Sequence, residues 1–159
     1  MIGALLVVAA CFVPPVDVPI AIGFVQPACD YCAGHRGVEY HPPATVAVHA
    51  VAGGVVSFAG RVAGTLYVVV GQPDGVRMTY GMLLTRMVGE GAGVAAGQIV
   101  GYSSARLYFG IRDADGRPID PTGMLGHWVG RPRLIPSDGS PARKGPPPRL
   151  TCPAAASGR

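Results

Sequence analysis

From Val18 to Tyr102 the chain is built of short apolar runs rich in Val, and almost every run is cut off within a few residues by Gly, Pro or Asp. Val46-Ala47-Val48-His49-Ala50, Val55-Val56-Ser57-Phe58-Ala59, Leu66-Tyr67-Val68-Val69-Val70 and Val76-Arg77-Met78-Thr79-Tyr80 have strand length and strand composition, and no segment repeats its apolar residues at helical spacing. Gly53-Gly54, Ala63-Gly64, Gln72-Pro73-Asp74-Gly75 and Gly89-Glu90-Gly91 separate the runs with residues that accept turn dihedrals. Pro73-Asp74-Gly75 predicts a hairpin, and Asp113-Ala114-Asp115-Gly116 a second one after a strand over 106–112. Strands this short and this closely spaced imply an all-β fold, a mostly antiparallel sheet or open barrel.

The 159 residues suffice for one domain with one core, since 49% are hydrophobic. The net charge of +4 is unevenly distributed. Residues 1–126 are close to neutral, whereas residues 127–159 carry six basic side chains and one acidic, spread among Gly and Pro. Too apolar-poor to offset the entropy of ordering, 127–159 reads as a disordered basic tail with Trp128 as an anchor at its start. Such an arm favours membranes or anionic wall polymers. No interleaving of aromatic and basic residues points to nucleic acid.

At the other end, Ile2 to Val13 is an apolar run too short to span a bilayer. Residues 1–17 read as an export signal or its remnant, and 18–126 as the folded domain. Val8-Ala9-Ala10-Cys11 also matches the small-residue pattern that precedes a lipid-modified Cys. Cys29-Asp30-Tyr31-Cys32 leaves three readings open: a small disulfide loop, half of a zinc site with His35, or free thiols. An exported chain favours the disulfide.

Gly34-His35-Arg36-Gly37-Val38-Glu39-Tyr40 resembles the His-x-Gly-[Ile/Val]-Asp segment of the LytM/lysostaphin-type zinc endopeptidases. Arg106-Leu107-Tyr108-Phe109-Gly110-Ile111 falls where that family carries His-Leu-His-Phe-[Glu/Gly]-[Ile/Leu]. Between them, Thr79-Tyr80-Gly81-Met82-Leu83 and Val94-Ala95-Ala96-Gly97-Gln98-Ile99-Val100-Gly101 keep the family's order and spacing. The resemblance covers about residues 18–125 and implies the LytM fold, a duplicated hybrid motif. In active relatives, it further implies zinc held by the His and Asp of the first motif and the second His of the last. Carried over residue by residue, His35 keeps its place and Glu39 replaces Asp. Met82, Arg106 and Tyr108 stand where the resemblance expects three His.

A guanidinium has no lone pair and repels a divalent ion, a phenol is an uncommon zinc ligand, and a thioether suits softer metals. Catalytic zinc takes three protein ligands and keeps a place for water; here only His35 and Glu39 remain as vestigial ligands. A salt bridge between Glu39 and Arg106, with Tyr108 hydrogen-bonded nearby, is the expected replacement, the alternative being an Arg106 turned to solvent. A cleft ligand is expected to meet Glu39, Tyr80, Arg106 and Tyr108. The resemblance thus implies a monomeric, catalytically inactive envelope domain that needs no cofactor and binds peptidoglycan or regulates a cell-wall hydrolase. The alternative is an active zinc endopeptidase with a relocated His35/Glu39/His41 site, since Glu39 and His41 share one face of a strand. A lipoyl- or biotinyl-carrier domain would need a Lys on an exposed hairpin, and the sole Lys is Lys144 in the tail.

Overall fold

A computed structural model of the chain describes residues 11–130, 136–137, 139–141 and 144–153. Among them there is no helix. The strands are β1 Ile20–Ile22, β2 Val38–Tyr40, β3 Val46–His49, β4 Gly54–Val62, β5 Thr65–Gly71, β6 Arg77–Leu83 and β7 Thr85–Arg86. They continue as β8 Gly93–Val94, β9 Ile99–Ser103, β10 Leu107–Arg112, β11 Pro118–Ile119, β12 His127–Val129 and β13 Arg149–Thr151.

Every pairing between these strands is antiparallel. The main sheet runs β1-β2-β10-β6-β5-β4-β8 with β11 beside β10; a second sheet runs β3-β9-β7. The expected all-β, antiparallel, open architecture is therefore what the chain adopts. Both predicted hairpins form. Gly75, at φ 88°, closes the β5–β6 turn while the Asp74 carboxylate accepts from Val76 N–H, and Asp113 holds the β10–β11 turn in the same way through Arg117 N–H.

Alternation decides which side chains meet. On β5, Leu66, Val68 and Val70 are buried while Tyr67 and Val69 are half-buried on the other face; on β10, Leu107, Phe109 and Ile111 point inward and Tyr108 outward. The inward set joins Val38, Tyr40, Val48, Val100, Met78 and Tyr80 in one core. Tyr80 is fully buried, and its hydroxyl accepts from Val51 N–H at 2.8 Å. This corrects the expectation that Tyr80 meets a cleft ligand: the strand turns its ring to the core face, leaving no surface for a ligand.

The ends of the chain depart from the sequence reading. Residues 11–17, expected within an export segment, pack into the domain: Phe12 bridges Leu125, His49 N–H donates to Pro15 O, and Val16 is buried in the core. The part of that segment before Cys11 lies outside the described residues. Residues 127–129, expected in the tail, pair as β12 with β13, and Cys152, next to β13, is disulfide-bonded to Cys11. That bond corrects the proposed lipid anchor, because one sulfur cannot carry both a disulfide and a lipid thioether. Composition gave no hint that two distant Cys would bring the tail back.

Cross-linking residues 141 apart removes far more unfolded-chain freedom than linking residues three apart. Chain-entropy reasoning gives about 4–5 kcal/mol for the long loop against about 2 kcal/mol for the short one. Replacing Cys11 and Cys152 by Ser should therefore lower the urea midpoint clearly more than replacing Cys29 and Cys32, as equilibrium denaturation followed by fluorescence can show.

Candidate functional site

The pairing register builds one row across the open face of the main sheet. Tyr67 on β5 lies opposite Gly81 on β6, Gly81 opposite Tyr108 on β10, and Tyr108 opposite Glu39 on β2. Directly paired residues share a face, so these side chains project together. Glycine makes room for them. A Cβ on Gly81 would collide with the rings of Tyr67 and Tyr108, one on Gly110 with the Tyr108 hydroxyl, and one on Gly37 with the Tyr108 ring and Phe109 O. Tyr108 thus lies down against the sheet on a floor of three glycines, which frees space above Glu39.

Into that space come Arg106, from the turn before β10, and His35, from the loop before β2. Arg106 Nη2 donates to Glu39 Oε2 at 2.7 Å and Nε donates to the same oxygen at 3.2 Å. His35 Nε2 lies 3.3 Å from Glu39 Oε1, and His41 Nε2 3.9 Å from Oε2. The Glu39 side chain is 8% exposed, whereas that of Arg106 is 56% exposed. Burial by itself raises the Glu39 carboxyl, but the hydrogen bonds and charges of Arg106 and His35 together outweigh it and hold the group below its ordinary range. Glu39 is therefore an ionised, mostly dry carboxylate whose cation is Arg106.

The loop ahead of β2 is fixed in three ways. Cys29 and Cys32 form a disulfide, which settles the open question of that pair and removes both thiolates as ligands. Arg36 donates to Asp30 O at 2.6 Å and Cys32 O at 3.2 Å. His35 pairs with Val25 through both backbone groups, and its Nδ1 donates to Gly23 O at 2.8 Å. With Nδ1 donating, Nε2 is the ring atom that faces Glu39, and the contact becomes a hydrogen bond when Nε2 also carries a proton.

The structure brings His35, Glu39, His41, Arg106 and Tyr108 together and sets Tyr80 and Met82 apart. Tyr108 reaches the cluster through its ring, edge-on to His35 at 6.0 Å between centroids, rather than through the expected hydrogen bond. Burial pushes its phenol up, and Arg112 and Arg36 pull it back only in part, so the phenolate a metal would need is disfavoured. Met82 is the extra residue of a bulge between the pairs Tyr67↔Gly81 and Leu66↔Leu83, at φ 61°. A left-handed Met costs about 1–2 kcal/mol, so this is a strained backbone position carrying a side chain without an imidazole. Tyr67 and the Gly23 carbonyl were not singled out from sequence. Only strand register reveals the first, and nothing in the sequence marks the second.

The donor set does not fit a hydrolytic zinc. One Glu39 oxygen is occupied by a guanidinium, and among the described residues no three His, Cys, Asp or Glu are grouped to hold a metal ion.

Removing Arg106 leaves a buried carboxylate with only imidazole partners. Since Arg106 is more than half exposed, Arg106→Ala should cost about 1–2 kcal/mol by urea denaturation, below the figure for a fully buried pair. The pH dependence has a definite sign. Glu39 titrates below its ordinary value of 4.5, so its stabilisation is fully present above about that pH and is lost as pH falls through the lowered folded value. The stability difference between wild type and Glu39→Gln should be flat above pH 5 or so and shrink on further acidification. A difference that grows toward acid would contradict the assignment.

The model of peptidase family M23 matches residues 33–121, more than half of the chain. Comparison with curated protein sequences finds no match. Among solved structures, Csd3 of Helicobacter pylori is similar at a TM-score of 0.64 and 24% identity, over 80% of this chain and 38% of that one. This chain therefore spans well under two thirds of Csd3. A chain of the SpoIIQ–SpoIIIAH pore-forming complex is similar at a TM-score of 0.64 and 19% identity, over 72% of this chain and 90% of that one. The catalytic domain of the antimicrobial peptidase lysostaphin from Staphylococcus simulans is similar at 0.57 and 24%, over 66% and 90%. At these identities the structures speak for the fold alone; the match across both motif segments carries the assignment, and the chain belongs to peptidase family M23.

Proposed function

We propose that this protein is a LytM-type domain without peptidase activity, working in the bacterial cell envelope by binding peptidoglycan or by controlling a separate wall hydrolase. The observation that carries the reading is the Arg106 guanidinium on the Glu39 carboxylate at 2.7 Å. A family site that needs a divalent ion has a fixed organic cation there instead, and a cation so placed cannot activate water as a metal does. Tyr67 and Tyr108 share the open face of the sheet with this ion pair, a polar and aromatic surface on which a ligand would rest. Two disulfides fit an oxidising compartment, in line with an envelope or extracellular setting. The neighbours are consistent with either partner class: one is named as part of a protein complex, another as an antimicrobial peptidase.

One observation favours a second reading. His41 Nε2 lies 3.9 Å from Glu39 Oε2 and His35 Nε2 3.3 Å from Oε1, so both imidazoles approach one carboxylate, although in this arrangement the three are not grouped to hold an ion. That zinc endopeptidase must break the shortest charge contact of the site before binding metal.

Protein purified without added zinc should carry far less than one equivalent of metal and release no peptides from purified peptidoglycan, with or without zinc in the assay. It should co-sediment with that peptidoglycan or alter the rate of a wall hydrolase mixed with it. Chelator-sensitive release of peptides would falsify the non-catalytic reading.

A further inference from the structure

The open face of the main sheet changes character beyond Tyr108. Alternation puts Gly110 and then Arg112 on the same face of β10 as Tyr108, and Arg77 on β6 lies directly opposite Arg112. Like charges at directly opposed positions repel, so the sheet carries this pair at a cost unless something negative sits between them. Both side chains turn toward the β10–β11 hairpin: Arg112 Nη1 donates to Gly116 O at 2.7 Å, and a Cβ on Gly116 would stand 3.3 Å from Arg77 Nη2.

Arg36 closes the group from the other side. With Arg112, Arg117, Gln26, Asp30 and Asp115 it lines a polar hollow of about 570 Å³. Its Nη2 is held by Asp30 O and Cys32 O in the disulfide loop, which fixes the direction of the guanidinium. The Tyr108 hydroxyl stands over Gly110, where a Cβ would lie 2.6 Å from it and 3.2 Å from Arg36 O, and the charges of Arg112 and Arg36 both act on the phenol. The nearby acids do not balance this group. Asp115 pairs with Arg117 at 2.9 Å, and Asp74 and Asp113 accept from backbone N–H groups of their own turns. Among the described residues no carboxylate is ion-paired with Arg36, Arg77 or Arg112, and the Asp30 carboxylate stays as a negative charge at the rim.

We propose that Arg36, Arg77, Arg112 and the Tyr108 hydroxyl form a subsite for a phosphate group, carried as a monoester or diester, on the sheet face next to the Glu39–Arg106 pair. The donor arrangement selects phosphate over carboxylate. A carboxylate offers two oxygens in one plane and is matched by a single guanidinium, whereas the tetrahedral oxygens of a phosphate accept from several sides. Guanidinia from a loop and two strands supply donors in that way. The subsite uses no metal and does not involve Glu39, so it stands whether or not the neighbouring site is catalytic. The Asp30 carboxylate opposes the anion and limits its affinity.

The test is an NMR titration of the whole isotopically labelled chain, at constant ionic strength, with inorganic phosphate, glycerophosphate and, for comparison, acetate. Both phosphates should give saturable shifts in the millimolar range at Arg36, Arg77, Tyr108, Arg112 and Gly116, with acetate clearly weaker. Arg77→Gln and Arg112→Gln should each weaken phosphate about two- to fivefold, as for exposed charges, and Asp30→Asn should strengthen it by a similar factor. Arg61→Gln, at the β4–β5 hairpin, should change nothing. Without phosphate, Arg77→Gln should keep or raise the urea midpoint, because it relieves a like-charge pair. Co-sedimentation with phosphatidylglycerol in phosphatidylcholine vesicles separates the sources. Vesicle binding weakened by Arg77→Gln assigns a lipid head group, and glycerophosphate binding without vesicle binding assigns a non-lipid ester, either result supporting the subsite. Equal affinity for acetate and phosphate, shifts that do not saturate, or Arg77→Gln and Arg112→Gln proteins that bind phosphate as wild type does would each overturn the proposal.

Discussion

A carboxylate taken out of water keeps its charge only if something nearby replaces the water. At Glu39 the replacements are the Arg106 guanidinium at 2.7 Å, the His35 imidazole at 3.3 Å and the more distant His41. The desolvation of such a group is expensive, and a pair of this kind adds little net stability over an apolar equivalent; its effect is to penalise any arrangement that separates the partners. The loop with His35 and the turn with Arg106 are therefore pinned to one strand by the need to keep a single buried charge satisfied. A metal ion could meet the same need, and the chain meets it with its own side chain.

That geometry rests on strand register. Glu39, Tyr108, Gly81 and Tyr67 form one cross-sheet row, and a slip of one residue at any pairing would send half of them into the core. The inward alternation of Leu107, Phe109 and Ile111 on β10, and of Leu66, Val68 and Val70 on β5, fixes the register through burial. The glycines then set how close the aromatic rings come to the sheet. Three positions without a Cβ let Tyr108 lie flat against the sheet, next to the strand that carries the Glu39–Arg106 pair. Core packing, glycine placement and the ion pair depend on one another in that order.

Much of this was legible in the residues. Val-rich runs and Asp-Gly turns state the antiparallel strands, because strand propensity and turn dihedrals are local properties. Glu39 and Arg106 came out as partners because the two motif segments fix their places in a known scaffold. What escaped depends on contacts distant in sequence. Cys11 read as a lipidation site because its neighbours are small, while its real partner stands beyond a long stretch of Pro and Gly. Tyr80 read as a cleft residue because it belongs to a motif, yet it alternates with Met78 on the core face of β6, opposite the buried Val68 and Phe109. The Tyr108 hydroxyl was given a hydrogen bond that its flat ring does not make.

The short strand β2 is held at both of its faces. Glu39 is saturated: an arriving cation must first displace Arg106, so the contacts it gains are offset by those it breaks. Tyr40 holds the strand from the other side: its ring is buried in the core, so β2 cannot shift to loosen the Glu39 side without exposing it. The sheet face beside Tyr108 is therefore left to ligands that bind next to the ion pair without breaking it.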